Sequence, residues 1–249
     1  MPQRQLRKWS NMREKKQFVF VVSFFIIVVA SFIVAAMYGR RTKNSYIDDT
    51  DFNQYLAQKD LKVFYHYYPF DENYDIYGSG DNIQSEEDVE KSADVIVKAR
   101  VGKDAKRKIY TECVLSDIEV LDTYKGDIKS GEIIPVFEPI NCTESKGAIY
   151  CSEGYSPIRS GEEYILFLKK VKNAGFGKDD YVYIISHPTY SKYELNDKKA
   201  KLFQEDEFYD VGVFYQKSKE NEVFLYDKEM YNRFYEIKEQ VIKKLVKES

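Results

Sequence analysis

Apolar positions along the chain follow three different patterns in succession. The first is Phe18–Tyr38, FVFVVSFFIIVVASFIVAAMY, an apolar run of 21 residues broken only by Ser23 and Ser31 and carrying no charge. A helix satisfies such hydroxyls by bonding them back to its own carbonyls. At about 1.5 Å per residue the run spans about 31 Å, close to the ~30 Å hydrocarbon thickness of a bilayer. It predicts a transmembrane helix over 18–38.

The second pattern is alternation. Residues 44–92 are polar and acidic, with a Tyr-rich, strand-like LKVFYHYY at Leu61–Tyr68 ended by Pro69, so 39–84 reads as a juxtamembrane stalk. Ser85 followed by Asp88 predicts an N-capped short helix reaching about Ala93. From Asp94 the period becomes two: Val95, Val97, Ala99 and Val101 share one face, Lys98 and Arg100 the other. A longer strand is expected over Ile109–Tyr124, with a slip in phase near Ser116 and Asp117 that predicts a bulge. Further strands are expected at Ile133–Phe137, Glu163–Leu168 and Asp180–Ser186. Shorter pieces follow at Tyr190–Leu195, Phe208–Phe214 and Glu222–Tyr226.

The third pattern is helical. Asp227 can cap a helix in which Met230, Phe234, Ile237, Val241 and Leu245 recur every three or four residues. The expected fold class is therefore mainly β: a small barrel with an N-terminal transmembrane helix and a C-terminal amphipathic helix. Its divisions are a cytoplasmic basic segment 1–17, the span 18–38, the stalk 39–84, an extracytoplasmic barrel 85–226 and the helix 227–249.

Charge gives the arrangement a direction. The net charge of -3 hides nine basic residues against Glu14 alone in residues 1–43, and 29 basic against 40 acidic residues thereafter. Six basic residues (Arg4, Arg7, Lys8, Arg13, Lys15, Lys16) precede the span and three (Arg40, Arg41, Lys43) follow it, which predicts a cytoplasmic N-terminus. Val34, Ala35 and Ala36 allow the competing reading of a cleaved signal peptide, but the length of the run and the basic cluster behind it favour a retained signal-anchor. A body of net charge -11 repels phosphate backbones, and the chain has no GxxxxGK[ST] or GxGxxG, so nucleic acid is not expected as a partner.

Three stretches, SADVIVKARV (Ser92–Val101), SDIEVLDTYKGD (Ser116–Asp127) and SGEEYILFL (Ser160–Leu168), resemble the NTR/TIMP-like OB-type barrel in order and spacing. Similar stretches occur in membrane-anchored envelope proteins of Gram-positive bacteria. The resemblance covers about residues 85–190 and implies a barrel with a binding face. The inhibitory members of that family depend on a free N-terminal cysteine and a dense disulfide network. This chain shows neither pattern, so protease inhibition is not implied.

The candidate chemistry is sparse. Cys142 and Cys151 flank the expected hairpin tip NCTESKGAIYC and, in an oxidising location, are the candidate disulfide; Cys113 is expected as a buried thiol. An enzymatic alternative is a sortase-like cysteine transpeptidase with Cys151 as nucleophile, His66 or His187 as acid/base and Arg159 as oxyanion stabiliser. GAIYC differs from the TLxTC-type strand of that class. Asp71, Asn73 and Asp75 begin like a calcium loop that Ile76 and Asn82 do not complete. Asn141-Cys142-Thr143 matches a glycosylation sequon, informative only in a eukaryotic source. No metal and no cofactor are expected. The reading that remains is a non-catalytic binding or interaction module at the cell envelope. Its partners would be membrane lipid through 18–38 and an unidentified extracytoplasmic protein or wall polymer.

Overall fold

The computed structural model describes residues 46–66, 83–110, 113–142, 147–172, 181–196, 198–203 and 212–247. The expected membrane span at 18–38 and the calcium-like loop at 71–82 lie outside them. Among the described residues no helix is long and apolar enough to cross a membrane.

In chain order the elements begin with β1 (Tyr46–Asp51), α1 (Phe52–Leu56), β2 (Lys62–His66), α2 (Glu86–Ser92), β3 (Val95–Val101), β4 (Arg107–Tyr110) and β5 (Val114–Lys125). They continue with β6 (Ile133–Glu138), β7 (Ile140–Cys142), β8 (Ala148–Ser152), β9 (Glu163–Lys172) and β10 (Tyr181–Ile185). The last are β11 (Lys192–Glu194), β12 (Lys199–Leu202), β13 (Val213–Phe214), α3 (Tyr215–Ser218), β14 (Asn221–Leu225) and α4 (Lys228–Ile242).

Five of these strands close on themselves. β3 pairs antiparallel with β5 and β9, β5 with β6, and β9 with β10; β10 then runs parallel to β6 and seals the ring. Taken in chain order, the five strands neighbour one another as first, second, third, fifth, fourth and back to first. The body is thus mainly β, built on a closed five-strand barrel consistent with an OB-like one. Alternation fills the interior: Val97, Ala99 and Val101 meet Ile118, Val120, Ile134, Val136, Leu166 and Leu168 in one buried cluster.

The expected phase slip at Ser116 and Asp117 is not there. Val114, Ser116, Ile118 and Val120 all point inward in one unbroken phase, paired without interruption to β6. Leu115, apolar and buried on the opposite face of the strand, makes the alternation look broken. The irregularities of β5 lie further on, where Ala99 faces Val120 but Lys98 faces Asp122, and again between Thr123 and Lys125. The turn after β5 needs Gly126, at φ +95°, where a Cβ would meet Val95 Cγ2 at 2.9 Å.

The residues expected to form a stalk, in their described part, are built into the body instead. β1 pairs with β4, and β2 runs parallel to β8 in a four-stranded sheet ordered β13-β2-β8-β7. Phe52, Leu61, Val63 and Tyr65 sit in the same core as the barrel interior, each 1% exposed or less. Burial of four such side chains outweighs the acidic composition that suggested a tether.

A second apolar layer covers the outside of β3 and β9. Ile96, Ile165 and Phe167 pack with Val89 of α2, Tyr193 of β11, and Phe234, Ile237 and Val241 of α4. Both helices begin as the sequence predicts: Ser85 Oγ accepts from the Asp88 amide (3.3 Å) and Asp227 Oδ1 from that of Met230 (2.7 Å). The apolar stripe of the C-terminal helix is therefore occupied by the body. Lys244, in the π-helical turn Lys243–Lys247 that continues α4, bridges Glu86 and Glu90 of α2 at 2.9 and 2.5 Å.

Candidate functional site

The inward phase of β6 ends on a charge. Glu138 is fully buried, as is Arg107 of β4, and the two form an ion pair through Arg107 Nη2 and Glu138 Oε1. Ser116 Oγ, arriving in the inward phase of β5, accepts from Arg107 Nε at 2.8 Å and donates to Glu138. Arg107 Nη1 donates to the Ile158 carbonyl at 3.0 Å, and its guanidinium lies 4.6 Å from the centre of the Phe52 ring. The other carboxylate oxygen accepts from the Tyr155 hydroxyl (3.0 Å) and the Ile158 amide (2.9 Å). Burial beside Glu138 pushes the Tyr155 phenol well above its usual range. Every arm of this cluster meets a partner, so it acts as a lock. It fixes β4, β5, β6 and the segment 155–158 against one another, and it offers no free group for chemistry.

The lock positions a second polar cluster. The segment leaving Ile158 carries Arg159, whose two terminal nitrogens reach the Lys219 carbonyl and the Glu194 carboxylate. β11 brings Lys192 and Glu194 inward on either side of Tyr193, and all three are buried. β14 supplies Glu222, which accepts from the Glu194 amide at 2.5 Å and pairs with Lys238 of α4. Lys192 Nζ donates to the Glu222 carbonyl at 3.3 Å and stands 5.1 and 5.2 Å from the ring centres of Tyr155 and Tyr164. Burial lowers the Lys192 ammonium to about 8, against the pull of Glu222 and Glu194. Burial likewise raises Glu222, partly offset by Lys238 and Lys192. Ser156, Arg159, Lys192, Glu194 and Glu222 line a cleft with room for about one water molecule.

The residues singled out from sequence are dispersed by comparison. Cys142 faces Ile149 and Cys151 faces Ile140 across the β7–β8 ladder, so the two thiols are out of step by two positions, and they form no disulfide. Diagonal neighbours of that kind stand about 7–8 Å apart at Cα, beyond the ~4.4–6.8 Å that a disulfide bridges. Burial pushes the Cys142 thiol to about 12 and Cys151 well above 9.0, the reverse of what a nucleophile needs. Cys151 is 0% exposed. The backbone of His66 lies opposite Ser152. His187 Nδ1 accepts from the Thr189 amide (3.1 Å), its Nε2 is 3.9 Å from Glu153, and Arg159 is held by Glu194. Among the described side chains of the transpeptidase reading, His187 and Arg159 are thus engaged with Thr189, Glu153 and Glu194. Among the described residues no group of three or more His, Cys, Asp or Glu is placed to hold a metal ion.

Sequence reasoning missed Arg107, Glu138, Lys192, Glu194 and Glu222. One signal was present: Ile134, Val136 and Glu138 share a phase, and a carboxylate in an inward phase implies a buried partner. Nothing comparable marks Lys192, which sits in a short strand with no apolar alternation. No protein-family model matches the chain, and no curated protein matches it.

Proposed function

We propose that the chain is a membrane-anchored binding module of the cell envelope, held by residues 18–38, whose NTR/TIMP-like barrel engages an extracytoplasmic protein or wall polymer without catalysing a reaction. The observation that carries this reading is the outer face of β6. Ile133, the most exposed large apolar side chain among the described residues at 64%, is followed in the same phase by half-exposed Pro135 and Phe137. Asp117 and Glu119 of β5 stand directly opposite Pro135 and Ile133. A single exposed isoleucine is ordinary; an apolar row with an acidic border along an OB-like strand is the kind of face such barrels use for binding. The interior supports the same reading, because Arg107 and Glu138 are engaged with one another and burial keeps the Cys142 and Cys151 thiols protonated. A photo-crosslinking side chain at position 133 of the full-length protein, expressed in its native membrane, is expected to capture a discrete partner, and Ile133→Glu to lower recovery about tenfold. Equal recovery with Ile133→Glu would exclude this face as the contact.

A further inference from the structure

The cleft between segment 155–159, β11, α3 and β14 holds donors without a full set of acceptors. Ser156 Oγ, on a residue 6% exposed, and Arg159 Nε line it without a hydrogen bond of normal geometry, while the Tyr65 hydroxyl lies within bonding reach of Ser156 and Ser218. Lys192 Nζ has three N–H groups and gives one long bond, 3.3 Å, to the Glu222 carbonyl. The charges are unbalanced in the same sense. Arg159 is paired with Glu194, Lys238 with Glu222 and Arg107 with Glu138, so the three carboxylates that act on Lys192 each serve another cation and Lys192 is the fourth. A buried ammonium without its own counter-charge is costly. A water molecule would satisfy the donors but not the charge.

We infer that this cleft binds a small monovalent anion of about chloride's size, held by Lys192 Nζ and Ser156 Oγ, with Arg159 Nε completing its shell. Space excludes the larger oxyanions: the cleft admits about one water-sized particle. Anion and proton are linked through Lys192, which is surrounded by Glu222 of β14, Glu194 of β11, Glu138 of β6 and Arg159. Occupancy keeps the amine charged, and binding weakens about tenfold per pH unit once the amine loses its proton.

The test uses the full-length protein near neutral pH. Chloride replaces gluconate at constant ionic strength, and the chloride NMR line width and the thermal midpoint are followed. A saturable response is expected, absent in Lys192→Met and not reproduced by sulfate. Glu222→Gln removes a competing carboxylate, keeps one oxygen to accept from the Glu194 amide and leaves Lys238 without its counter-charge, and it should tighten binding about tenfold. The same response in Lys192→Met, or an equal response to sulfate, means ordinary screening and overturns the site. No saturable response means the cleft holds water and also overturns it. If Lys192→Met does not fold, Glu222→Gln decides alone: unchanged affinity sinks the inference.

Discussion

At the scale of residues, burial sets how the protein answers alkali. Cys142 and Cys151 have folded-state values raised above the ordinary 9.0, Cys142 to about 12. Stability from each is therefore fully present below about 9 and is lost as pH climbs towards 12. Lys192 works in the opposite direction. Its value falls from 10.5 to about 8, so between those limits the unfolded chain holds a proton that the folded one has released, and stability rises with pH. Two thiols outweigh one amine, and above 10.0 the buried phenols of Tyr65, Tyr155 and Tyr193 join the thiols. The urea midpoint should therefore fall from about pH 9 upward. In a Cys142→Ala, Cys151→Ala double variant it should instead rise between pH 8 and 10; a continued fall there would show that the thiols are not the cause. These residues were half legible in the sequence. Cys113, expected as a buried thiol, is only half-buried, whereas Cys142 and Cys151, expected at a hairpin tip, are the buried ones, and Leu115 on the other face disguised the inward phase of β5. Partners such as Arg107 and Glu138, 31 positions apart, become visible only when β4, β5 and β6 are laid side by side.

At the scale of elements, local periodicity was a good guide wherever one face meets the core and the other meets water. β3 and α4 are of this kind, as is the cap at Ser85, and each stands where its pattern puts it. Elements held by distant pairing were not legible. β2 looked like part of a tether because its partner β8 is parallel and 86 positions away, and four-residue β4 is too short to show a period. α4 also makes a measurable claim. Phe234 is 0% exposed and touches the rings of Tyr193 and Tyr235, with centroids 5.7 and 5.8 Å away. Phe234→Ala should cost about 3–5 kcal/mol in equilibrium denaturation. A loss below about 1 kcal/mol would mean that the helix is an appendage rather than a wall of the second core.

At the scale of the whole molecule, the span expected at 18–38 and the body from Tyr46 onward make separate demands. Fractionated cells should retain the full-length chain in membranes through alkaline carbonate washing and release it with detergent. Recovery in the aqueous fraction without detergent would end the anchored reading. The topology of the body imposes a further condition, on its birth rather than its mature state. Val63 meets its last strand neighbour, Val213, 150 positions later, and the barrel seam cannot close before Tyr183 and Ile184 reach Val136 and Phe137. Contacts of such long range slow folding, and strands awaiting them present bare edges. A nascent chain emerging from the ribosome must therefore be sheltered by chaperones until nearly all of it has been synthesised, and truncation anywhere before β13 should yield aggregates rather than a smaller folded protein.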